Sequence, residues 1–276
     1  MIDFSKDVKI AVASPSYRRP HCITAHYIKD TRIYIDKSDE KAYREANEGF
    51  GEIVVCADGI QGNLPRVRNY ILDQEFNVNK ADIVVMMDDD VESVGLYAPN
   101  TQTGFGYERH KLKTLDEFYD FILYGSILCE EWGFGMWGVS HNDDKMLYRH
   151  FTPFYTTVPT VGQFMVFTKN ELRFDESLPL KEDYDMNLQQ CNRYRGALMI
   201  SFAHVIGDFG KLSGGTAIRR NNEREFQQFK QFKKKWGSKI VRGTNTVGHQ
   251  VQGESKRYVN HYDFSHPIVR IPIDGV

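Results

Sequence analysis

The chain has 276 residues, 41% of them hydrophobic and 26% charged, and a formal charge of −2. This is the balance of an ordinary folded globular protein rather than a low-complexity one, and it does not announce a nucleic-acid binder. No apolar run approaches the length of a membrane span, Met1 to Asp7 has no leader pattern, and Cys22, Cys56, Cys129 and Cys191 form neither a C-x-x-C pair nor a zinc-type cluster, so a reduced, cytoplasmic setting is expected.

Val8 to Ala13 reads as a first strand, closed by Ser14-Pro15-Ser16-Tyr17-Arg18-Arg19-Pro20, where two prolines oppose regular structure and Ser and Arg offer donors to an anion. Arg32 to Asp36 is a second strand, Asp39 to Asn47 a helix and Glu52 to Cys56 a third strand. A glycine-rich turn, Asp58 to Asn63, then leads into a helix from Leu64 to Leu72 with Pro65 in its first turn. Next comes Ile83-Val84-Val85-Met86-Met87, an unbroken apolar run that ends in Asp88-Asp89-Asp90. Such a run reads as a strand buried on both faces in the middle of a parallel sheet, and strands of that kind deliver functional groups at their carboxyl ends. Three adjacent carboxylates repel one another unless a cation compensates them, so this turn is either a divalent-metal site or a solvated acidic turn.

Strand and helix alternate through residue 90, the pattern of an α/β fold with a parallel sheet. No G-x-G-x-x-G follows the first strand and no G-x-x-x-x-G-K-[ST] occurs. Pro99 to Tyr107 reads as a loop and Leu115 to Trp132 as an amphipathic helix; Gly133 to Val139 reads as a strand closely approached by another backbone. Phe154 to Val158 and Gly162 to Phe167 are expected to be antiparallel strands, making the sheet mixed. A second acidic cluster, Glu182-Asp183-Tyr184-Asp185, opens a helical pattern, where carboxylates either cap the helix or do chemistry. Ala197 to His204 is a buried strand ending in a histidine, a structural residue or a ligand. From Lys211 to Arg257, twelve Lys and Arg stand against Glu223, Glu225 and Glu254. Within that span Glu223 to Trp236 is helical, with Phe226, Phe229, Phe232 and Trp236 as a docking stripe.

A loop after the first strand, a Gly/Arg/Asn segment after the third, a three-acid turn, a helix-opening acid cluster and a strand-end histidine together resemble the GT-A class of nucleotide-sugar glycosyltransferases. The resemblance covers roughly residues 8 to 210. It implies a Rossmann-like, mixed, mostly parallel central sheet flanked by helices in a domain of residues 1–210, with residues 211–276 as a basic C-terminal helical extension packed on it. It also implies that Asp88 and Asp90 hold Mn²⁺ or Mg²⁺ against the donor diphosphate with His204 completing the metal shell. Asp89 would then reach the ribose, and Glu182-Asp183 would supply the base of an inverting transfer. The Ser14–Pro20 loop, with Ser14, Ser16 and Arg18, and the segment Gly62 to Asn69, which ends in an R-N pair, would hold the nucleotide together with Asp58, although Arg66 stands where the class has a small residue. The stretches Lys181 to Asp185, His204 to Asp208 and Lys211 to Gly215 resemble a narrower group, the TET/JBP-associated glycosyltransferases of phages, related to the base J glucosyltransferase. That resemblance implies a UDP-sugar-type donor and hydroxymethylated pyrimidine, such as 5-hydroxymethylcytosine, in DNA as acceptor.

The chemistry asks for the same residue types. An acceptor hydroxyl needs a carboxylate to take its proton, Asp183 first and Asp185 second. Lys211 or Arg18 would neutralise the departing phosphates. If the acceptor is a base in duplex DNA it must be flipped out, and the basic segment would bind phosphates. Three alternatives stay open: the same fold acting on a polysaccharide or other acceptor, a nucleotidyltransferase, and a non-catalytic nucleotide- or DNA-binding module.

Overall fold

The computed structural model describes residues 2–104, 106–141, 144–146, 148–160, 162–207, 215, 221–243 and 267–270. The apolar runs expected as strands form β1 (Ile10–Pro15), β2 (Arg32–Ile35), β3 (Glu52–Val55) and β4 (Ile83–Met87). They lie side by side in parallel, in the order β3-β2-β1-β4. β1 runs two residues further than expected, through Pro15, which sits opposite Tyr34. A proline is tolerated there because the strand ends with it and β4 pairs only as far as Ala13.

β4 is buried at every position, and its side chains alternate between two cores. Ile83, Val85 and Met87 join Phe118, Phe121 and Ile122 of α4 (Leu115–Glu131). Val84 and Met86 join Val67, Ile71 and Leu72 of α3 (Leu64–Leu72). Helices cover both faces of the sheet, the condition under which a strand reads as a continuous apolar run.

Beyond β4 the sheet is mixed. β5 (Val91–Pro99), β6 (Tyr107–Lys111), β7 (Met136–Ser140), β8 (Phe154–Tyr155), β9 (Phe164–Phe167) and β10 (Leu198–Gly207) extend it in the order β4-β9-β7-β10-β5-β6, with β8 on β10. β9 is antiparallel to both β4 and β7, so β7, and β10 parallel to it, run the same way as β4. Among the described strands of this sheet only β5, β8 and β9 oppose the shared direction, and the architecture is a mostly parallel, Rossmann-like α/β sheet.

α1 (Ile23–Tyr27) and β5 are elements that periodicity does not reveal. α2 (Glu40–Ala46) and α5 (Glu182–Tyr194) fall where expected. α6 (Asn222–Trp236) docks on α5: Phe229 and Phe232 are buried with Leu178, Leu188 and Val241. Its aromatic stripe therefore meets the protein's own core. Among the described residues no helix is long and apolar enough to cross a membrane.

Candidate functional site

The direction shared by β1, β4, β7 and β10 brings their carboxyl ends to one edge of the sheet, and the amino end of antiparallel β9 arrives at the same edge. Asp88, Asp89 and Asp90 turn there between β4 and β5. The turn is braced from below: Ile23 N–H donates to Asp89 O at 2.9 Å, and Thr24 Oγ1 donates to Asp88 O at 2.5 Å while accepting from Val91 N–H at 3.1 Å. Asp88 N–H donates to Gln163 O at 3.2 Å, which ties the turn to the segment entering β9.

Two guanidinium groups divide these carboxylates. Arg19 donates to Asp89 and lies 3.0 Å from Asp90 Oδ2. Ser16 Oγ also donates to Asp89, and Tyr43 Oη, 2.7 Å from Ser16 Oγ, accepts Arg19 N–H at 3.0 Å. Arg68 is buried to 1% of its side chain, pairs with Asp88 Oδ1 at 3.0 Å and Glu182 Oε1 at 3.4 Å, and donates to Gly162 O at 3.2 Å. The Gly162 N–H in turn donates to Asp183 Oδ2 at 3.3 Å. The two acid clusters, almost a hundred residues apart in sequence, thus form one site around one buried arginine. A Cβ at Gly162 would lie 2.6 Å from Arg68 Nη2, so any side chain there would displace the guanidinium.

Five acids face two arginines here, and burial raises the titration of Asp88, Asp89, Asp90 and Glu182. Burial pushes Asp88 up to about 7, with Asp90 and Asp89 adding to it against the pull of Arg68. The Asp88 side chain nevertheless stays 31% open to solvent. Burial also pushes Asp89 up to about 6, against Arg19 and Ser16, and raises Asp90 against Arg19. Glu182 goes up to about 8, through burial first and the adjacent Asp183 second. His141, directly after β7, is held below the usual histidine value by desolvation, which the charge of Asp183 partly offsets.

The chemistry of the donor set decides which metal ligands fit. Among the described residues no three His, Cys, Asp or Glu side chains form a metal-holding group. Asp90 Oδ1, however, is buried without a hydrogen-bond partner. A hard cation that keeps waters and takes substrate phosphates needs only one or two carboxylates, so Asp88 and Asp90 fit Mn²⁺ or Mg²⁺. His204 does not fit. β10 continues past it to Gly207, so it is not at the strand end; it pairs with Gly95, and four residues of β5 at ~3.3 Å each put it roughly 13 Å from Val91. Its ring is buried against Tyr97, with centroids 4.3 Å apart. The strand runs on because Val205 and Ile206 still pair with Val94 and Ser93.

The other expected residues separate in the same way. Asp183 opens α5, half-buried, with Oδ1 accepting Tyr184 N–H at 2.8 Å. Asp185 turns away from the acid turn: Oδ1 accepts from Trp236 Nε1 at 2.7 Å and pairs with Lys235 at 2.8 Å, and Oδ2 accepts from Gln189 at 2.7 Å. It is not placed to act as a base, because α6 occupies it. Asn69 spends both ends of its amide on the backbone of Phe174, at 2.9 and 2.7 Å. Arg66 pairs with Glu176 at 2.8 Å and donates to Gly59 O at 2.8 Å. Ser14 is buried within β1, 4.0 Å from Cys22 Sγ; Arg18 is exposed, in a left-handed conformation at φ 53°, over the Tyr17 ring; Asp58 is exposed in its turn. Lys211 lies outside the described residues. The described residues on either side of it, Gly207 and Gly215, stand beside the site: Gly207 opposite Val91, and Gly215 donating its N–H to Tyr17 O at 2.9 Å.

His141 and Gly162 are members of the site that sequence reasoning passed over, whereas Arg19 and Arg68 lay inside the loop and the segment expected to hold the nucleotide and pair instead with the acids. Arg68 carried a signal: it shares the inward stripe of α3 with Val67, Ile71 and Leu72, and a charge on an apolar stripe needs buried partners.

No family model matches this chain, and no curated protein sequence does. Among solved structures it is similar to A197 from STIV, at 11% identity and a TM-score of 0.41 over 72% of this chain and 85% of that one. It is similar to S. aureus TarS at 12% identity and 0.39, over 72% of this chain and 36% of TarS. A cytidylyltransferase from Leptospira borgpetersenii matches at 10% and 0.37, over 74% and 79%. Likenesses this distant say nothing about activity.

Proposed function

We propose that this protein transfers a sugar from a nucleoside diphosphate donor to an acceptor hydroxyl, as an inverting glycosyltransferase of GT-A type. The observation that carries the reading is the convergence of Asp88 and Asp183 on Arg68 and Gly162 at the carboxyl edge of the sheet. Asp88 and Asp90 would hold Mn²⁺ or Mg²⁺, which when bound supplies Lewis-acid neutralisation of the diphosphate. Asp183 takes the acceptor proton as the new glycosidic bond forms at the anomeric carbon and the sugar–phosphate bond breaks. The bonding pair leaves with the nucleoside diphosphate. Arg68 holds Asp88 and Glu182 in register for that exchange, and Arg19 and Ser16 hold Asp89 within reach of the donor. Glu182, which burial and Asp183 push up to about 8, faces Arg68 at 3.4 Å rather than the acceptor side.

For the acceptor we propose hydroxymethylated pyrimidine in DNA, such as 5-hydroxymethylcytosine, on the strength of the Lys181–Asp185 and Lys211–Gly215 stretches and the basic segment. The test is to incubate the protein and Mn²⁺ with a panel of nucleotide sugars and hydroxymethylated DNA, then weigh the nucleosides after digestion. A hexose or pentose mass on the modified base supports the reading. Release of pyrophosphate instead would identify a nucleotidyltransferase, and transfer only to glycan acceptors would redirect the acceptor. Asp183→Asn should keep nucleotide affinity and lose transfer by about 100-fold or more; turnover within a few-fold of wild type, on the order of ordinary surface changes, would remove Asp183 as the base.

A further inference from the structure

The first turn of α5 is gripped by α6 at both ends. Lys181, the residue before the helix, pairs with Glu225 at 2.5 Å with both side chains fully buried. One turn on, Asp185 is held by Lys235 and Trp236 from the last turn of α6, at 2.8 and 2.7 Å. Between these anchors lies the apolar seam of Leu178, Leu188, Phe229 and Phe232, with the Tyr184 ring 6.3 Å from that of Phe232. Glu182 and Asp183 sit between the two anchored residues. Fully buried ion pairs add little net stability, since well-packed hydrophobic residues of similar volume do as well or better, and the best-attested use of such pairs is to fix register. Register matters here. A slip of one residue along a helix turns each side chain by about 100° and moves it ~1.5 Å, enough to take Asp183 off Gly162 and Glu182 off Arg68.

We infer that α6 is a positioning element for the acid pair: Glu225, Lys235 and Trp236 are positioning residues that hold Lys181 and Asp185, and so keep Glu182 on Arg68 and Asp183 placed to take the proton of the acceptor hydroxyl as it attacks the anomeric carbon. The inference rests on the reading of Asp183 as the base. It assigns Asp185 the work of an anchor, and it makes residues beyond 210 part of the transfer machinery.

The test uses the full-length protein and two variants. The first is the volume-conserving pair Lys181→Met with Glu225→Leu, and the second is Trp236→Phe, which keeps an aromatic ring and removes the Nε1 donor to Asp185. The double variant should keep its urea midpoint and its nucleoside diphosphate Kd within about two-fold, lose about 10- to 100-fold in kcat, and speed amide exchange over residues 182–186. Trp236→Phe should lose about 3- to 10-fold in kcat at unchanged donor KM, with the same local rise in exchange. A double variant with wild-type kcat, or with wild-type exchange at those amides, overturns the inference. If the double variant does not fold, Trp236→Phe decides in the same terms. Should wild-type protein transfer no sugar, the functional reading fails instead, and the exchange measurement still decides whether α6 holds the turn.

Discussion

Asp88, Asp89 and Glu182 keep their protons up to about pH 7, 6 and 8, because burial disfavours the charged form and their neighbours are acids. A carboxyl whose folded-state value exceeds its unfolded value, near 4, binds protons preferentially in the folded state. Its contribution to stability is complete below pH ~4 and is lost as pH rises through the folded-state value. Without a divalent cation, then, stability should fall between pH 5 and 8 in thermal melts, and Mn²⁺ should raise the midpoint more at pH 8 than at pH 5.5. Equal gains at both pH values would argue against a cation among these carboxylates. Arg68→Met tests the same cluster from the other side. Breaking a buried pair typically costs 3–5 kcal/mol, and the partial opening of Asp88 places this one near the low end, at about 3 kcal/mol in urea denaturation at pH 8. The loss should shrink at pH 5, where the carboxyls are protonated; a cost independent of pH would assign Arg68 to packing alone.

At the level of elements, pieces that leave a local mark were legible, even the four-residue β2 and β3, and pieces that leave none were not, even the nine-residue β5. The unbroken run of β4, the proline-led α3 and the acid-led α5 announce themselves because burial on two faces, a terminal proline and dipole-compatible acids each leave a local mark. α1, five residues long, leaves none, although its Thr24 braces the acid turn. β5 begins at the residue after Asp90, where the acids suggest a loop, and its Gly95 is there because a Cβ would lie 2.6 Å from His204 Nε2. That contact places His204 in the packing between β5 and β10 rather than in a metal shell. His204→Phe should accordingly leave the Mn²⁺ concentration for half-maximal transfer within about two-fold, whereas loss of a metal ligand's support typically costs 10- to 100-fold. Asp90→Asn should shift it by at least that larger factor.

Across the whole molecule, charge and topology divide the work. The described part of the basic segment is α6 and the residues to 243, and Lys235 there is committed to Asp175 and Asp185. Lys230, Lys234 and Lys239 are exposed, so they are the residues to replace in a DNA-binding test that leaves the fold alone. Changing all three to Ala should weaken binding to hydroxymethylated duplex and flatten the log–log salt dependence, by about 0.9 per phosphate contact removed. An unchanged slope would take α6 out of the DNA-contact surface. The sequence by itself determined the class of sheet, the position of both acid clusters at element ends and the helical, aromatic-striped extension, because periodicity and terminal chemistry are local properties of a chain. Only the tertiary structure decided that Asp88–Asp90 and Glu182–Asp183 belong to one site, that Arg68 and Gly162 join them, that Asp185 is held by α6, and that His204 packs between β5 and β10. Those outcomes depend on strand order and on the reversal of β9. Neither is written in any single stretch, because a strand's own pattern records that it is buried but not which neighbour buries it.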